Sequence, residues 1–184
     1  MANNTDEQIL QLLAQKGSYE RGFRLLISTY QERLYWQIRR LVIEHEDAND
    51  VLQNCFIKIY KNIDRFKGNS KLYTWLYRIA TNEAITFLNK KQRKATIAID
   101  DEGLHLSNKL EADTYFDGSR AQLQLQKALC TLPEKQRAVF NLRYFEEMSY
   151  KDMSAVMGTS VGALKASYHH AVKKIEHYLK SVEI

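Results

Sequence analysis

The segment from Met148 to Ile175, MSYKDMSAVMGTSVGALKASYHHAVKKI, admits few folds. It reads as a short helix, a tight turn and a second, longer helix. Ser149 places a side-chain acceptor where a helix start leaves backbone N–H groups unpaired. Asp152 puts negative charge in the first turn, where the helix dipole favours it. Met153, Val156 and Met157 recur at three- and four-residue spacing, one apolar stripe on a short helix. Gly158 is expected to end that helix, because glycine takes the left-handed backbone of a helix C-terminus without a Cβ penalty. Ser160 restarts the chain as an N-cap, and Val161, Leu164, Tyr168, Ala171, Ile175 and Leu179 form the buried stripe of the next helix. Its other face carries Ala163, Ala166, Ser167, His170, Lys173 and Lys174, small and polar, then basic. A helix built that way can lie close to DNA and grip phosphate at its far end. An ordinary hairpin of two helices in a bundle would show the same stripes, so the segment alone leaves both open.

Composition narrows the class. Seven glycines and one proline in 184 residues point to an all-α chain with few tight turns, long enough for one large or two small domains. Cys55 and Cys130 each sit in an apolar helical pattern and read as reduced core residues of a cytoplasmic protein. Met1 to Thr5 is polar with no apolar run behind it, so neither a signal peptide nor stable membrane insertion is expected. The net charge of +5 suits a polyanion partner.

The charge is unevenly spread. Residues 1–94 hold 16 bases and 10 acids, residues 95–118 one base and six acids, and residues 119–184 ten bases and six acids. Two basic helical blocks therefore flank an acidic segment that carries Gly103 and no helical period. The expectation is a helical domain over 1–94, a flexible acidic linker over 95–118 and a second helical domain over 119–184.

Within the first block, Asp6 to Gln15 and Tyr19 to Leu41 are amphipathic, the second through Phe23, Leu26, Ile27, Tyr30, Leu34 and Ile38. Residues 47–63, DANDVLQNCFIKIYKNI, show two faces. Leu52, Phe56, Ile59 and Ile63 form a core stripe, while Asp50, Gln53, Asn54 and Ile57 share an acidic, amide-rich face suited to docking a protein. Residues 66–94 interleave bases and aromatics: Phe66, Lys67, Lys71, Tyr73, Trp75, Tyr77, Arg78, then Lys90, Lys91, Arg93 and Lys94. Bases neutralise phosphates and aromatics stack on unpaired bases, the combination that single-strand binding needs. Lys67-Gly-Asn-Ser-Lys71 is a polar loop ahead of a helix, a candidate pocket for an extruded base, with Trp75 behind it expected to be mostly packing.

DANDVLQNCF and YTWLYRIATN resemble the paired signatures of region two of sigma-70-type transcription initiation factors. The stretch from Leu132 to Ile175, LPEKQRAVFNLRYFEEMSYKDMSAVMGTSVGALKASYHHAVKKI, resembles region four of the same family. With these two regions and a short linker, the chain resembles the extracytoplasmic-function (ECF) subfamily over roughly residues 20–94 and 119–180. That resemblance implies a non-enzymatic factor that binds core RNA polymerase, directs it to promoter DNA and helps melt the minus-ten element, with an anti-sigma factor as a further expected partner. It places polymerase docking on Asp47, Asp50, Gln53, Asn54 and Ile57. Minus-ten recognition falls on Lys67, Asn69, Ser70, Lys71, Tyr73, Trp75, Tyr77, Arg78 and Asn82. Minus-35 recognition falls on Ser160, Ala163, Lys165, Ala166, Ser167, His170, Lys173 and Lys174. The family often reads TVKSRLHRAR where this chain has ALKASYHHAVKK, so Ser167 and His170 replace two arginines. Arginine is the common bidentate reader of guanine, so an altered minus-35 preference is expected.

Two rivals make different demands. A conventional helix-turn-helix repressor or activator would need a ligand pocket or a self-complementary face in its first block. A nuclease or other nucleic-acid enzyme would need clustered carboxylates or a metal site, and the acids here are scattered or lie in the linker. No catalytic residue, metal or cofactor is expected. His169 and His170 are adjacent on a helix and point about 100° apart, against a shared metal site. His170 is expected at DNA, and His169 in a partly buried or linker-facing position.

Overall fold

The structure, a computed structural model, describes residues 2–95 and 120–182, so the segment read as an acidic linker lies outside it apart from Ala95. The described residues form eight α-helices and no strand. They are α1 (Ala2–Ala14), α2 (Tyr19–Val42), α3 (His45–Asn62), α4 (Leu72–Ala95), α5 (Arg120–Cys130), α6 (Glu134–Tyr144), α7 (Tyr150–Met157) and α8 (Val161–Ser181). A single 3₁₀ turn, Ile63–Arg65, follows α3. None of these helices is long and apolar enough to cross a membrane.

Local rules account for the boundaries. The Ser149 side chain accepts from the Asp152 amide at 3.1 Å, and Ser160 accepts from the Ala163 amide at 3.3 Å, so both helices of the helix-turn-helix are capped as expected. Gly158 has φ +63° and ends α7. Gly22 serves a different purpose. A Cβ there would meet the Leu13 backbone nitrogen at 2.9 Å, so its absence lets α1 lie against α2.

The N-terminal bundle packs α1, α3 and α4 around α2, which buries Leu26, Tyr30, Leu34, Ile38 and Leu41. Tyr30 donates its hydroxyl to Asp6 and ties α1 down. Cys55 is fully buried in this core, and burial pushes its thiol up to about 12. Cys130 is also buried and raised by burial, and the two cysteines are unpaired, which suits inert core residues.

The C-terminal helices have a small core of their own, in which Leu129, Leu132, Phe140, Ala171 and Ile175 meet. Their other apolar side chains go elsewhere. Ala138, Leu142, Met148, Met153, Val156 and Leu164 belong to one continuous cluster with the N-terminal core. α7 packs on α4, and α6 touches α2 and α4. The two blocks read as tethered domains are therefore packed together in this conformation, because the inner stripe of α7 has two neighbours to cover it, α8 and α4. Val161, expected in the stripe of α8, is 38% exposed: it sits in the first turn, before the helix meets its neighbours.

The described residues contain two non-glycine residues with positive φ, Ile43 at +72° and Glu147 at +49°. A β-branched residue there is a marked outlier, and such positions cost roughly 1–3 kcal/mol. Ile43 is buried in a cluster with Cys130 and Leu123, at the seam between the blocks.

Candidate functional site

The residues singled out in the sequence fall on three surfaces, and these differ in how open they are. The first is the outer face of α3. Asp50, Gln53, Asn54 and Ile57 are all exposed, as their spacing requires, and Ile57 is 45% exposed despite being apolar. Beside them lies an open groove of about 450 Å³ lined by Phe23, Ile27, Leu52, Gln53, Phe56, Ile57 and Tyr60. Tyr60 is 50% exposed and is held edge-on by Tyr19 and Phe23 at 5.5 and 5.0 Å. An exposed aromatic on a rigid helix, with amides around it, is the composition of a protein-docking patch. Asp47 stands apart from the other four. It is half-buried, and Lys91 of α4 bridges it at 2.5 Å while also pairing with Glu44. Burial opposes the charge on Lys91, but the two carboxylates outweigh it and its pKa is raised.

The second surface is the loop and first three turns of α4. Lys67, Asn69 and Ser70, with Arg65, Phe66, Thr74, Trp75 and Arg78, line a polar concavity of about 320 Å³. Trp75 is half-buried against Phe66, ring centroids 5.6 Å apart, so it walls the concavity and packs at once. On its other side a second hollow, about 350 Å³, is formed with Lys58, Asn62, Ile79, Asn82 and Glu83. Lys67, Asn69, Lys71, Arg78 and Asn82 are exposed.

Two residues of this segment have other engagements. Tyr77 is fully buried, and its hydroxyl donates to Glu146 in the turn after α6. Burial first, and the Glu146 charge second, push that hydroxyl well above the usual tyrosine range. Tyr73 donates to Asp152 of α7 at 2.9 Å, and Lys71 stands 3.6 Å from the same carboxylate. Burial works against the Asp152 anion, but hydrogen bonds from Ser149 and Tyr73 and the Lys71 charge hold its pKa below the usual range. Ala155 of α7 closes one wall of the loop concavity.

The third surface is the outer face of α8. Ala163, Lys165, Ala166, His170, Lys173 and Lys174 are exposed, Ser167 is half-buried, and Ser160 caps the helix. Leu164, Ala171 and Ile175 are buried beneath them. The small residues leave the helix start smooth enough to approach base edges, and the lysines stand at the far end. His169 is exposed, which removes the partly buried alternative, since position 169 falls outside the 164–171–175 stripe; the linker-facing alternative involves residues outside those described.

Comparison with known proteins decides the family. Residues 26–94 match Sigma-70 region 2, and residues 122–175 match Sigma-70, region 4. The chain belongs to the sigma-70 family. It is similar to the RNA polymerase sigma-H factor of Pseudomonas aeruginosa, at 34% identity covering 96% of each chain. It is also 32% identical to the ECF RNA polymerase sigma-E factor of Haemophilus influenzae, over 98% of each. Among solved structures it resembles the sigma factor RpoE in complex with the anti-sigma factor NepR from Bartonella quintana. There the TM-score is 0.68 and the identity 24%, over 86% of this chain and 96% of that one. The structure of CnrH with the cytosolic domain of CnrY gives TM-score 0.69 at 21% identity, over 96% and 98%. This sigma factor is thus an ECF-type transcription initiation factor that directs core RNA polymerase to promoters, and it is not an enzyme.

Sequence reasoning missed the residues that join the two regions of the sigma factor. Arg40 of α2 donates to Glu146 at 3.2 Å and lies over the Phe145 ring, 4.1 Å from its centroid. Arg33 approaches the same carboxylate at 3.8 Å. The burial of Tyr77 was partly legible, since Tyr77, Thr81, Ala84 and Leu88 recur at helical spacing. Its partner Glu146 was not, because nothing local marks a contact spanning 69 residues.

Proposed function

We propose that this sigma factor divides promoter use among the three surfaces just described. The open face of α3 docks on core polymerase through Asp50, Gln53, Asn54 and Ile57, with Asp47 at its edge and the groove at Tyr60 beside it. The loop Lys67–Lys71 and the start of α4 recognise the minus-ten element and stabilise its melted strand, with an extruded base received beside Trp75. The outer face of α8 reads the minus-35 element. A protein of the anti-sigma kind is a further partner, on the likeness to a factor solved with NepR. The site of action is the cytoplasm, where polymerase works.

The observation that supports this best is the exposed quartet on α3, which no fold requirement explains. Its acid, amides and isoleucine stand in solvent beside an apolar groove, on a bundle whose core is complete without them. Losing one partner of a charge pair buried at an interface costs about 2–5 kcal/mol. Asp50→Lys should therefore cut capture of purified core polymerase at least tenfold, with helicity unchanged. Capture at wild-type strength would refute the docking assignment.

A further inference from the structure

Three of the chain's five histidines lie on α8, and His169, His170 and His177 are all exposed. The helix sets them among Lys165, Lys173, Lys174 and Lys180, with Glu176 as its one acid. Ala163, His170 and His177 recur every seven residues, so they share one line along the helix with a drift of only about 20° per step. His169 points about 100° away from His170, towards Lys165 and Lys173 one turn to either side. The His169 and His170 rings stand 6.1 Å apart, and among the described residues none of the three imidazoles has an ion pair or a hydrogen bond.

α5, α6 and α7 pack against the opposite side of α8, where Leu164, Ala171 and Ile175 are buried. The acids there are Glu134 of α6, Glu146 and Glu147 of the turn that follows and Asp152 of α7; Glu146 and Asp152 are taken up by the N-terminal bundle. The bases are Arg120 and Lys127 of α5, Lys135, Arg137 and Arg143 of α6, and Lys151 of α7. The phenols nearest the outer face are Tyr144, which is exposed, and Tyr150, which lies beneath Lys165. No carboxylate of α8 or of its neighbours pairs with the histidines, so their rings are open to a ligand.

We propose that the minus-35 grip of α8 is proton-linked: His169 and His170 hold the DNA backbone as imidazolium ions, one on each flank of the helix. This rests on the minus-35 assignment made above. Reach selects these two. A rise of about 1.5 Å per residue puts His170 ~10.5 Å beyond Ala163. With Ala163 at the floor of a major groove about 8.5 Å deep, His170 stands at the rim, where the phosphates run. His177 lies as far again along the helix, outside the groove. Histidine is the side chain whose charge changes between about pH 5 and 8, and a phosphate beside it favours the charged form. Lysine keeps its charge throughout that range, so Lys173 and Lys174 set a constant grip to which the histidines add a pH-dependent one. DNA binding therefore takes up protons. Because phosphate contacts carry no base information, the gain is the same on every duplex.

The test measures binding of the full-length factor, without polymerase, to a fluorescein-labelled random-sequence duplex 30-mer at pH 6 and pH 8 over a salt series. Wild type should bind about tenfold more tightly at pH 6, with a salt slope steeper by about 0.9 for each phosphate newly held, ~1.8 for two. His169→Gln combined with His170→Gln should lose both changes and keep the pH 8 affinity. His170→Arg carries a fixed charge, so it should bind more tightly than wild type at pH 8 and show a smaller pH step. His177→Gln should behave as wild type. Circular dichroism at both pH values checks the helices; should the double variant lose helicity, His170→Arg decides. A wild type without a pH step, or a step that survives in the folded double variant, overturns the linkage. A step removed by His177→Gln does the same. Lys173→Ala combined with Lys174→Ala keeps the minus-35 reading apart, since it should weaken binding equally at both pH values. Unchanged binding by that variant would mean that α8 does not face DNA, whatever the histidines do.

Discussion

Tyr77 on α4 is fully buried with its hydroxyl on Glu146, whereas His170 on α8 stands in solvent. Both belong to segments assigned to promoter DNA, and both segments combine polar and basic side chains. The difference lies in what covers them. The start of α4 faces α7 and the turn after α6, which bring two carboxylates to it. α8 turns Leu164 to the shared core and Ala171 and Ile175 to the C-terminal core, and leaves its outer face free. In this conformation the outer face of α8 is open, while α7 and the turn after α6 cover Tyr73 and Tyr77 at the start of α4.

The largest effect should come from the side chain that supports the open surface. Leu164 is buried at the meeting of α8 with the shared core. Truncating a buried leucine removes transfer free energy and leaves a cavity, about 3–5 kcal/mol together. Leu164→Ala should therefore lower the melting temperature and remove minus-35 recognition as a whole, without altering its preference. A changed preference on an intact fold would mean that α8 is turned the other way.

A smaller effect sharpens the reading of the outer face. Ser167 is half-buried between exposed Ala163 and His170, one turn away on either side. Ser167→Arg places a bidentate donor there and should change the preferred minus-35 base by about 1–3 kcal/mol at one pair. Selection of binding sites from a randomised minus-35 library checks this; an unmoved preference would remove Ser167 from the base-reading set.

The smallest effect concerns the covered surface and pH. The Asp152 carboxyl is held below its ordinary value of 3.8, so its contribution is fully present above that value. It is lost as pH falls below about 3.8 through the depressed folded value, when the carboxyl protonates and no longer attracts Lys71. Thermal unfolding of wild type and Asp152→Asn should differ at pH 6, and the gap should narrow as pH falls below 3.8. A gap that does not narrow on acidification would show that the Asp152 charge is not what holds α7 on α4.

Local signals account for what was legible in the sequence. Apolar periodicity located α2, α3, α7 and α8, and Ser149, Gly158 and Ser160 located the turn of the helix-turn-helix, because caps and stripes are decided within a few residues. Asp50, Gln53, Asn54 and Ile57 were assigned to an outer face on spacing alone, and they are exposed. What sequence left hidden is long-range. Lys91 takes Asp47 across 44 residues and Arg40 reaches Glu146 across 106, and such pairings follow from how helices cross. The groove at Tyr60 escaped notice for the same reason. Phe23 and Ile27 fit the core period of α2, yet they end half-buried at the edge where α3 leaves them uncovered.

Run-off transcription with permanganate footprinting tests the central claim most directly. Core polymerase would be assayed on a genomic promoter library with no factor, with wild type, and with Asn69, Ser70 and Lys71 all replaced by alanine. Extruding a base costs a few kcal/mol that a fitted pocket must offset, so a damaged loop should stall the closed complex. The account predicts promoter-specific transcripts and reactive minus-ten thymines with wild type alone, while the triple variant still binds polymerase and leaves the thymines unreactive. Transcripts that do not depend on the factor, or normal opening by the triple variant, would contradict it.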